Sequence, residues 1–403
     1  FCMITTFYPP YSFGGDAIFV QALSNLLLER GHRVDVIHCL DSYYALGGSR
    51  LAPSRQSDHP SLTIHRLSSP FQWLSPLATQ QTGHPLFKAA EIRRILSAGN
   101  FDVIHFHNIS LIGGPALLAF GDALKLYTIH EHWLLCPMHT LFRDNREPCE
   151  EKKCIRCALH YHRPPQLWRY TNALKEAVRH VDAFLAPTDF SRDLHVASGL
   201  PMDIVTLPHF HDPRQSEHRQ PAPETSGLDR PFFLYAGRLE KLKGVQALIP
   251  AFQKYSAADL VIAGAGSQEA ALRREAHGLS NVVFLGQVPR ESLAALYGRA
   301  IAVLVPSLAT EVFPLVVLEA FAARTPVIAR AHGPLPEIVT ASGGGSLFRD
   351  ESELPGLLQW FQSHPIERAR MGEAGYRQWR AEWTPEAHMD RYLSLIERLL
   401  ASK

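Results

Sequence analysis

The sequence predicts an α/β protein built on two parallel sheets, and three observations lead there. Short β-branched or aromatic runs alternate with longer helical patterns, as strands joined by crossover helices require. That alternation occurs twice, with a polar stretch rich in Pro, His, Gln and Glu between the two series. The 403 residues also exceed what one core ordinarily organises, domains running to roughly 100–200 residues.

In the first series the expected strands are Met3–Thr6, Arg33–Cys39, Thr63–Leu67, Asp102–His107, Lys125–His130, Ala183–Pro187 and Ile204–Leu207, with a helix over Ala17–Arg30 between the first two. The second series reads Phe232–Ala236, Leu260–Ala263, Val282–Leu285, Ala302–Pro306 and Val327–Ala329. The chain then closes on an amphipathic helix, Trp383–Leu400, with Met389, Tyr392, Leu393, Leu395, Ile396 and Leu399 apolar. The expected domains are residues 1–208 and 231–382, joined by a hinge-bearing linker at 209–230 and followed by the final helix, 383–403.

Composition narrows the function. Hydrophobic residues make up 46% and charged residues 20%, as in ordinary folded proteins. With Lys+Arg 40 against Asp+Glu 39 the net charge is +1, so no global field would hold nucleic acid or an anionic bilayer. No apolar run approaches the ~18 residues that span a membrane, and the chain opens without a basic leader, so a soluble cytoplasmic protein is expected.

Several segments could carry chemistry. The first strand runs into Tyr8-Pro9-Pro10-Tyr11-Ser12-Phe13-Gly14-Gly15-Asp16 and then a helix, and a glycine pair at such a junction lets backbone N–H groups approach an anion. Strand Phe232–Ala236 leads into a turn straddled by Arg238 and Lys243, both suited to a diphosphate at the carboxyl end of a parallel strand. Ile262-Ala263-Gly264-Ala265-Gly266-Ser267 is another strand-to-glycine turn, without the full dinucleotide fingerprint. The most specific segment is Thr310–Ala323. Pro314 suits the first helical position, so Leu315 and Val316 would offer their N–H groups to an anion. Glu319 lies within an otherwise apolar helix and needs a partner, while Glu311 precedes that helix, eight residues and about two turns before Glu319.

Together these residues resemble the retaining glycosyltransferases of family four, which have the two-Rossmann GT-B architecture. The likeness runs along nearly the whole chain, through Arg30-Gly31-His32-Arg33-Val34 and Phe101-Asp102-Val103-Ile104-His105 to the Arg238/Lys243 pair and the two spaced glutamates. The resemblance implies two Rossmann-like domains whose sheets face a cleft, with the C-terminal helix crossing back to the N-terminal domain. It implies a nucleotide-sugar donor, a UDP-sugar or GDP-sugar, and transfer to an acceptor hydroxyl with retention and without a metal at the diphosphate. Gly14 and Gly15 then match the loop against the diphosphate, and Arg238 and Lys243 the cations that neutralise it as it leaves. Glu311 matches the contact to the donor sugar and Glu319 the contact to the ribose; Gly264, Phe313, Leu315 and Val316 complete the donor site. His130 matches a histidine near the transferred sugar and is the residue expected to stabilise the transition state, so the catalytic set reads His130, Glu311, Arg238 and Lys243. One departure is Pro314, where many relatives carry Gly; proline has no N–H to donate.

A cysteine-bearing insertion, 136–157, follows His130. Cys136, Cys149, Cys154 and Cys157 satisfy the count for a structural zinc, with His139, His160 and His162 as substitute ligands; disulfides and thiols remain open alternatives. On the acceptor side, Phe71-Gln72-Trp73-Leu74-Ser75-Pro76-Leu77 offers apolar side chains either to a lipid carrier, with peripheral membrane contact, or to ordinary packing. The acceptor itself is left open among saccharides, small molecules and lipid-linked glycans. Rival readings are a nucleotide-sugar epimerase on the same architecture, a catalytically silent nucleotide-sugar-binding subunit, and a dehydrogenase, the last weakened because no G-x-G-x-x-G follows either first strand.

Overall fold

The computed structural model describes residues 1–49, 59–216 and 228–403. Of the expected linker, residues 217–227 lie outside the described residues. The chain forms two compact units, one of Phe1–His139, Lys153–Leu207 and Met389–Lys403, the other of Thr140–Lys152 and Pro208–His388.

The strands, in chain order, are β1 (Cys2–Ile4), β2 (Val34–Cys39), β3 (Leu62–Leu67), β4 (Val103–Phe106), β5 (Leu124–Thr128), β6 (Phe142–Arg143), β7 (Glu147–Pro148), β8 (Ala183–Ala186) and β9 (Ile204–Thr206), then β10 (Phe232–Ala236), β11 (Asp259–Ala263), β12 (Val282–Gly286), β13 (Val303–Val305), β14 (Val327–Arg330) and β15 (Gly345–Phe348). In the first unit they order as β3-β2-β1-β4-β5-β8-β9, and every pairing is parallel. β1, β4, β5 and β8 are buried along their whole length, the pattern of strands covered by helices on both faces. The final helix, Pro385–Ala401, returns to this unit from Met389 onward, with Met389 and Tyr392 fully buried and Leu395 and Ile396 nearly so.

The second unit orders as β12-β11-β10-β13-β14-β15, again all parallel, the doubly wound 3-2-1-4-5-6 sequence of a Rossmann fold. β15 is the strand that sequence patterning does not announce, because it opens out of Gly343-Gly344-Gly345 rather than a β-branched run. One side of the sheet packs under Phe233, Leu260, Phe252 and Phe361; the other holds Phe321, whose ring stacks on Trp383 at 6.0 Å. β6 and β7 form a small antiparallel hairpin.

Candidate functional site

In the second unit β10 lies between β11 and β13, so the strand order reverses there. Crossovers leaving in opposite directions open a crevice at the carboxyl ends of such strands, where open α/β sheets take their ligands. Two loops emerge at that point, Gly237–Gly244 after β10 and Pro306–Glu311 after β13.

The backbone knits these loops together. Gly244 has φ 74°, and a Cβ there would stand 2.0 Å from the carbonyl oxygen of Pro306, so only glycine lets the loops meet this closely. The N–H groups of Leu308 and Ala309 both donate to Leu242 O, at 2.9 and 3.0 Å. On the other flank Gly264, with φ 150°, presses against Gly237, where a Cβ would come within 1.9 Å of the carbonyl oxygen. Its own N–H is given to Gly286 O at 2.6 Å, so what Gly264 supplies is close approach of one turn to the next.

This framework brings Lys243 and Glu311 together. Lys243 Nζ donates to Glu311 Oε1 at 2.7 Å, and Ser307 Oγ donates to the same oxygen at 2.7 Å. Burial pushes the Glu311 carboxyl up, but the Lys243 ammonium, the two hydrogen bonds and the Arg238 charge outweigh it and hold the group below its ordinary value. It is therefore ionised at neutral pH, and its Oε2 accepts no hydrogen bond from the described residues. Arg238 is exposed and makes no ion pair among the described residues, which leaves its guanidinium open to an anion. Its own carbonyl is tied down by the Tyr235 hydroxyl at 2.8 Å.

The helix after Glu311 spans Leu315–Ala322. Pro314 is its N-cap, with φ −80° and ψ 92°, rather than its first helical residue, and no side chain caps it. Pro314 O accepts from Val317 N at 2.9 Å, while the N–H groups of Leu315 and Val316 have no acceptor among the described residues. Phe313 packs edge-on against His209 at 5.4 Å and near Trp383 at 6.4 Å. Glu319, on the same helix, has the partner its burial demands: the Tyr297 hydroxyl donates to its Oε2 at 2.6 Å, and burial with this carboxylate pushes the phenol well up. Glu319 and Tyr297 border a cavity of about 270 Å³ that His211 and Arg290 also line. Burial pushes the His211 imidazole down, Glu319 partly opposing it.

The first unit repeats the reversal, with β1 between β2 and β4. Gly14 caps the helix Gly15–Glu29 in an extended conformation with no side-chain cap, and both glycines are exposed. Asp16 in the first turn accepts from Asn108 Nδ2 at 3.2 Å. His130, just beyond β5, shares a hydrogen bond between its Nε2 and His107 Nδ1 at 2.9 Å, and its ring meets the Phe19 ring at 5.2 Å. Burial pushes His130 down to about 4, with Asp16 opposing, so the imidazole is neutral at pH 7.

Sequence reasoning missed Ser307, Tyr297, Asp16, Asn108 and His107. A signal existed for the last: His105 and His107 alternate at the end of one strand and so share a face. Nothing in the sequence pointed from Tyr297 to a glutamate 22 residues away.

The zinc expectation is not supported: among the described residues no group of three or more His, Cys, Asp or Glu is placed to hold a metal ion. The Cys149 thiol instead lies 3.6 Å from Glu151 O, and the substitute ligand His139 pairs with Glu131 at 2.8 Å. A cation already lies within electrostatic reach of Cys136 and Cys154: the guanidinium of Arg169, stacked over Trp168 at 4.6 Å and Trp133 at 5.3 Å. Burial pushes Arg169 down to about 10 against the pull of these thiols, and a dication would be repelled by it.

Comparison with known proteins identifies the family and the fold. Residues 13–215 match the family described as Glycosyltransferase Family 4, and residues 216–378 match Glycosyl transferases group 1. An uncharacterized glycosyltransferase of Methanocaldococcus jannaschii is 30% identical over 355 residues, covering 84% of this chain and 82% of that protein. Sucrose-phosphate synthase of Thermosynechococcus elongatus superposes with a TM-score of 0.76 at 20% identity, over 100% of this chain and 99% of that one. HepE of Anabaena, in complex with UDP-glucose, superposes with a TM-score of 0.67 at 16% identity, over 100% of each chain. These likenesses show the fold to be GT-B.

Proposed function

The chain belongs to glycosyltransferase family 4, and we propose that it moves a sugar from a nucleotide-diphosphate donor to an acceptor hydroxyl with retention of anomeric configuration. The observation that carries this reading is the cluster of Lys243, Ser307 and Glu311 at the reversal of the second sheet, with the Arg238 guanidinium beside it.

Breaking the bond between the anomeric carbon and the diphosphate oxygen leaves positive character on the sugar ring and negative charge on the departing diphosphate. Arg238 and Lys243 neutralise that charge, and the Leu315 and Val316 N–H groups add the positive end of the helix dipole. These donors take the place a divalent ion would otherwise fill, and Pro314 contributes none. Glu311, kept ionised, accepts hydrogen bonds from donor-sugar hydroxyls through Oε2; on binding, the diphosphate competes with Glu311 for Lys243. Glu319, beside its cavity, takes the ribose hydroxyls. Gly14 and Gly15 bring backbone to the diphosphate, and the neutral His130 imidazole donates to the transferred sugar as charge develops. The acceptor oxygen attacks the face the diphosphate leaves, and its proton passes to the leaving phosphate oxygen. No enzymic nucleophile forms a covalent intermediate.

On the acceptor side, Phe71, Trp73 and Leu74 are exposed by 49%, 59% and 42%, an apolar surface suited to a lipid-linked glycan at a membrane. Among the described residues no helix is long and apolar enough to cross a membrane. A peripheral contact of a cytoplasmic enzyme is the arrangement that fits both.

Melting curves with UDP-, GDP-, ADP- and dTDP-sugars in EDTA test the donor class, since a ligand at 100 times its Kd stabilises by roughly 2.7 kcal/mol. The anomeric coupling in the product's proton spectrum then reads retention. An isomerised sugar nucleotide without transfer would assign an epimerase, and binding without turnover a silent subunit. Full turnover in Glu311→Ala would end this mechanism.

A further inference from the structure

The first unit contains a line of buried imidazoles that the roles assigned above leave unused. β4 carries His105, and His107 follows one residue past its end, so both project to one face of the sheet. Each is only 1% exposed. At one end, His105 Nδ1 meets the hydroxyl of Tyr392, on the returning final helix, at 2.8 Å. Its Nε2 meets Thr128 Oγ1, at the end of β5, at 2.7 Å. Both ring nitrogens of His105 are thus engaged, and the ring cannot turn without breaking two bonds. The His107 ring lies against it, centroids 4.1 Å apart, and His107 Nδ1 then meets His130 Nε2 at 2.9 Å.

A hydrogen bond between two neutral imidazoles holds one proton between two nitrogens: one ring donates and the other accepts. The state of His107 Nδ1 therefore decides whether His130 Nε2 carries hydrogen, and so which tautomer His130 shows to a ligand through its other nitrogen. The same bond fixes the plane of the ring. Without it, a half-turn of the His130 ring puts carbon where each nitrogen stood with almost no change in shape.

We propose that His107 is a positioning residue for His130, setting the plane and the tautomer of that ring, with His105, Thr128 and Tyr392 holding His107 in place. This rests on the reading of His130 as the histidine beside the transferred sugar.

The test uses the full chain labelled with ¹⁵N at histidine, in the wild type and in His107→Phe. Long-range proton–nitrogen spectra, with the His130 signal assigned by its loss in His130→Gln, report the tautomer directly. One tautomer is expected in the wild type and a mixture in His107→Phe, with His107→Asn, which keeps a donor, lying nearer the wild type. Release of nucleoside diphosphate from UDP-glucose and GDP-mannose should show a kcat lower by roughly 10- to 100-fold in His107→Phe and a KM within about 2-fold, because misorientation rather than binding is at fault. An unchanged His130 spectrum in His107→Phe overturns the proposal. Should that variant fail to fold, His107→Leu takes its place, an unaltered His130 tautomer and wild-type kcat again overturning the proposal. Full turnover in His130→Gln would instead remove the catalytic reading of His130, while the spectra still judge the positioning role.

Discussion

Replacing Lys243 with methionine tests the ion pair on which the donor site is built. The substitution keeps most of the apolar stem and removes the charge, leaving Glu311 buried with Ser307 as its hydrogen-bond donor. Removing one partner of a fully buried pair costs about 3–5 kcal/mol, whereas an exposed pair contributes about 0–1 kcal/mol. The two side chains retain 24% and 17% of their exposure, and Arg238 still acts on the carboxylate, so roughly 2 kcal/mol is expected at pH 7. At roughly 2–4 °C per kcal/mol, melting should fall by about 4–8 °C. The sign with pH follows from linkage. In the native protein the carboxyl is held below its ordinary 4.5, so its contribution is complete above that value and is lost as pH falls through the lower folded one. In Lys243→Met the ammonium no longer outweighs burial and the carboxyl titrates higher. The penalty then belongs to the ionised form: it should be largest near pH 8 and shrink toward pH 5 as Glu311 takes up a proton. Lys243→Met/Glu311→Gln removes both charges and should recover most of the loss. Calorimetric melts of the wild type, both single variants and the double variant between pH 5 and 8 decide it. A deficit that does not change with pH, or a double-variant loss equal to the sum of the single ones, would refute the reasoning.

Three further outcomes are expected. Gly244→Ala forces a Cβ against Pro306 O in a left-handed conformation and should cost about 2–4 kcal/mol, read as a lower urea midpoint; an unshifted midpoint would mean the loops are not packed as described. Tyr297→Phe removes the hydroxyl that donates to Glu319 Oε2 and should cost about 1–2 kcal/mol in melts, with weaker binding of the nucleotide that stabilises the wild type. Purified protein should contain no stoichiometric zinc and melt at the same temperature in EDTA; one zinc per chain would restore the zinc reading of the four cysteines.

The fold was legible because its signals are local. Strands such as Phe232–Ala236 and Val303–Val305 are buried on both faces and read as short apolar runs, so each could be placed from its own residues. Sequence alone also singled out Arg238, Lys243 and Glu311, since a charge beside the end of a buried strand is conspicuous. It could not join them: the Lys243–Glu311 bond spans 68 residues and exists because Gly244 admits the Pro306 carbonyl, a contact between backbones that no side-chain pattern records. The cysteines failed for the complementary reason. Their count fits zinc, but ligands need convergence, and the sequence does not show that Arg169 is stacked on Trp168 and Trp133 within reach of two of the thiols.

Glu319 and His130 show how far a single residue can be read. That Glu319 required a partner followed from its apolar neighbours, and a phenol from another helix supplies a hydrogen bond to it. A phenol satisfies one carboxylate oxygen at 2.6 Å without neutralising its charge, so the carboxylate keeps its capacity to accept from a diol. His130 likewise was visible only as a histidine at a strand end; its neutrality comes from burial, and its orientation from His107, held in a line that ends on a tyrosine 262 positions further along the sequence. In both cases the residue type carried the chemistry, and its state was set by groups that only the folded topology brings near.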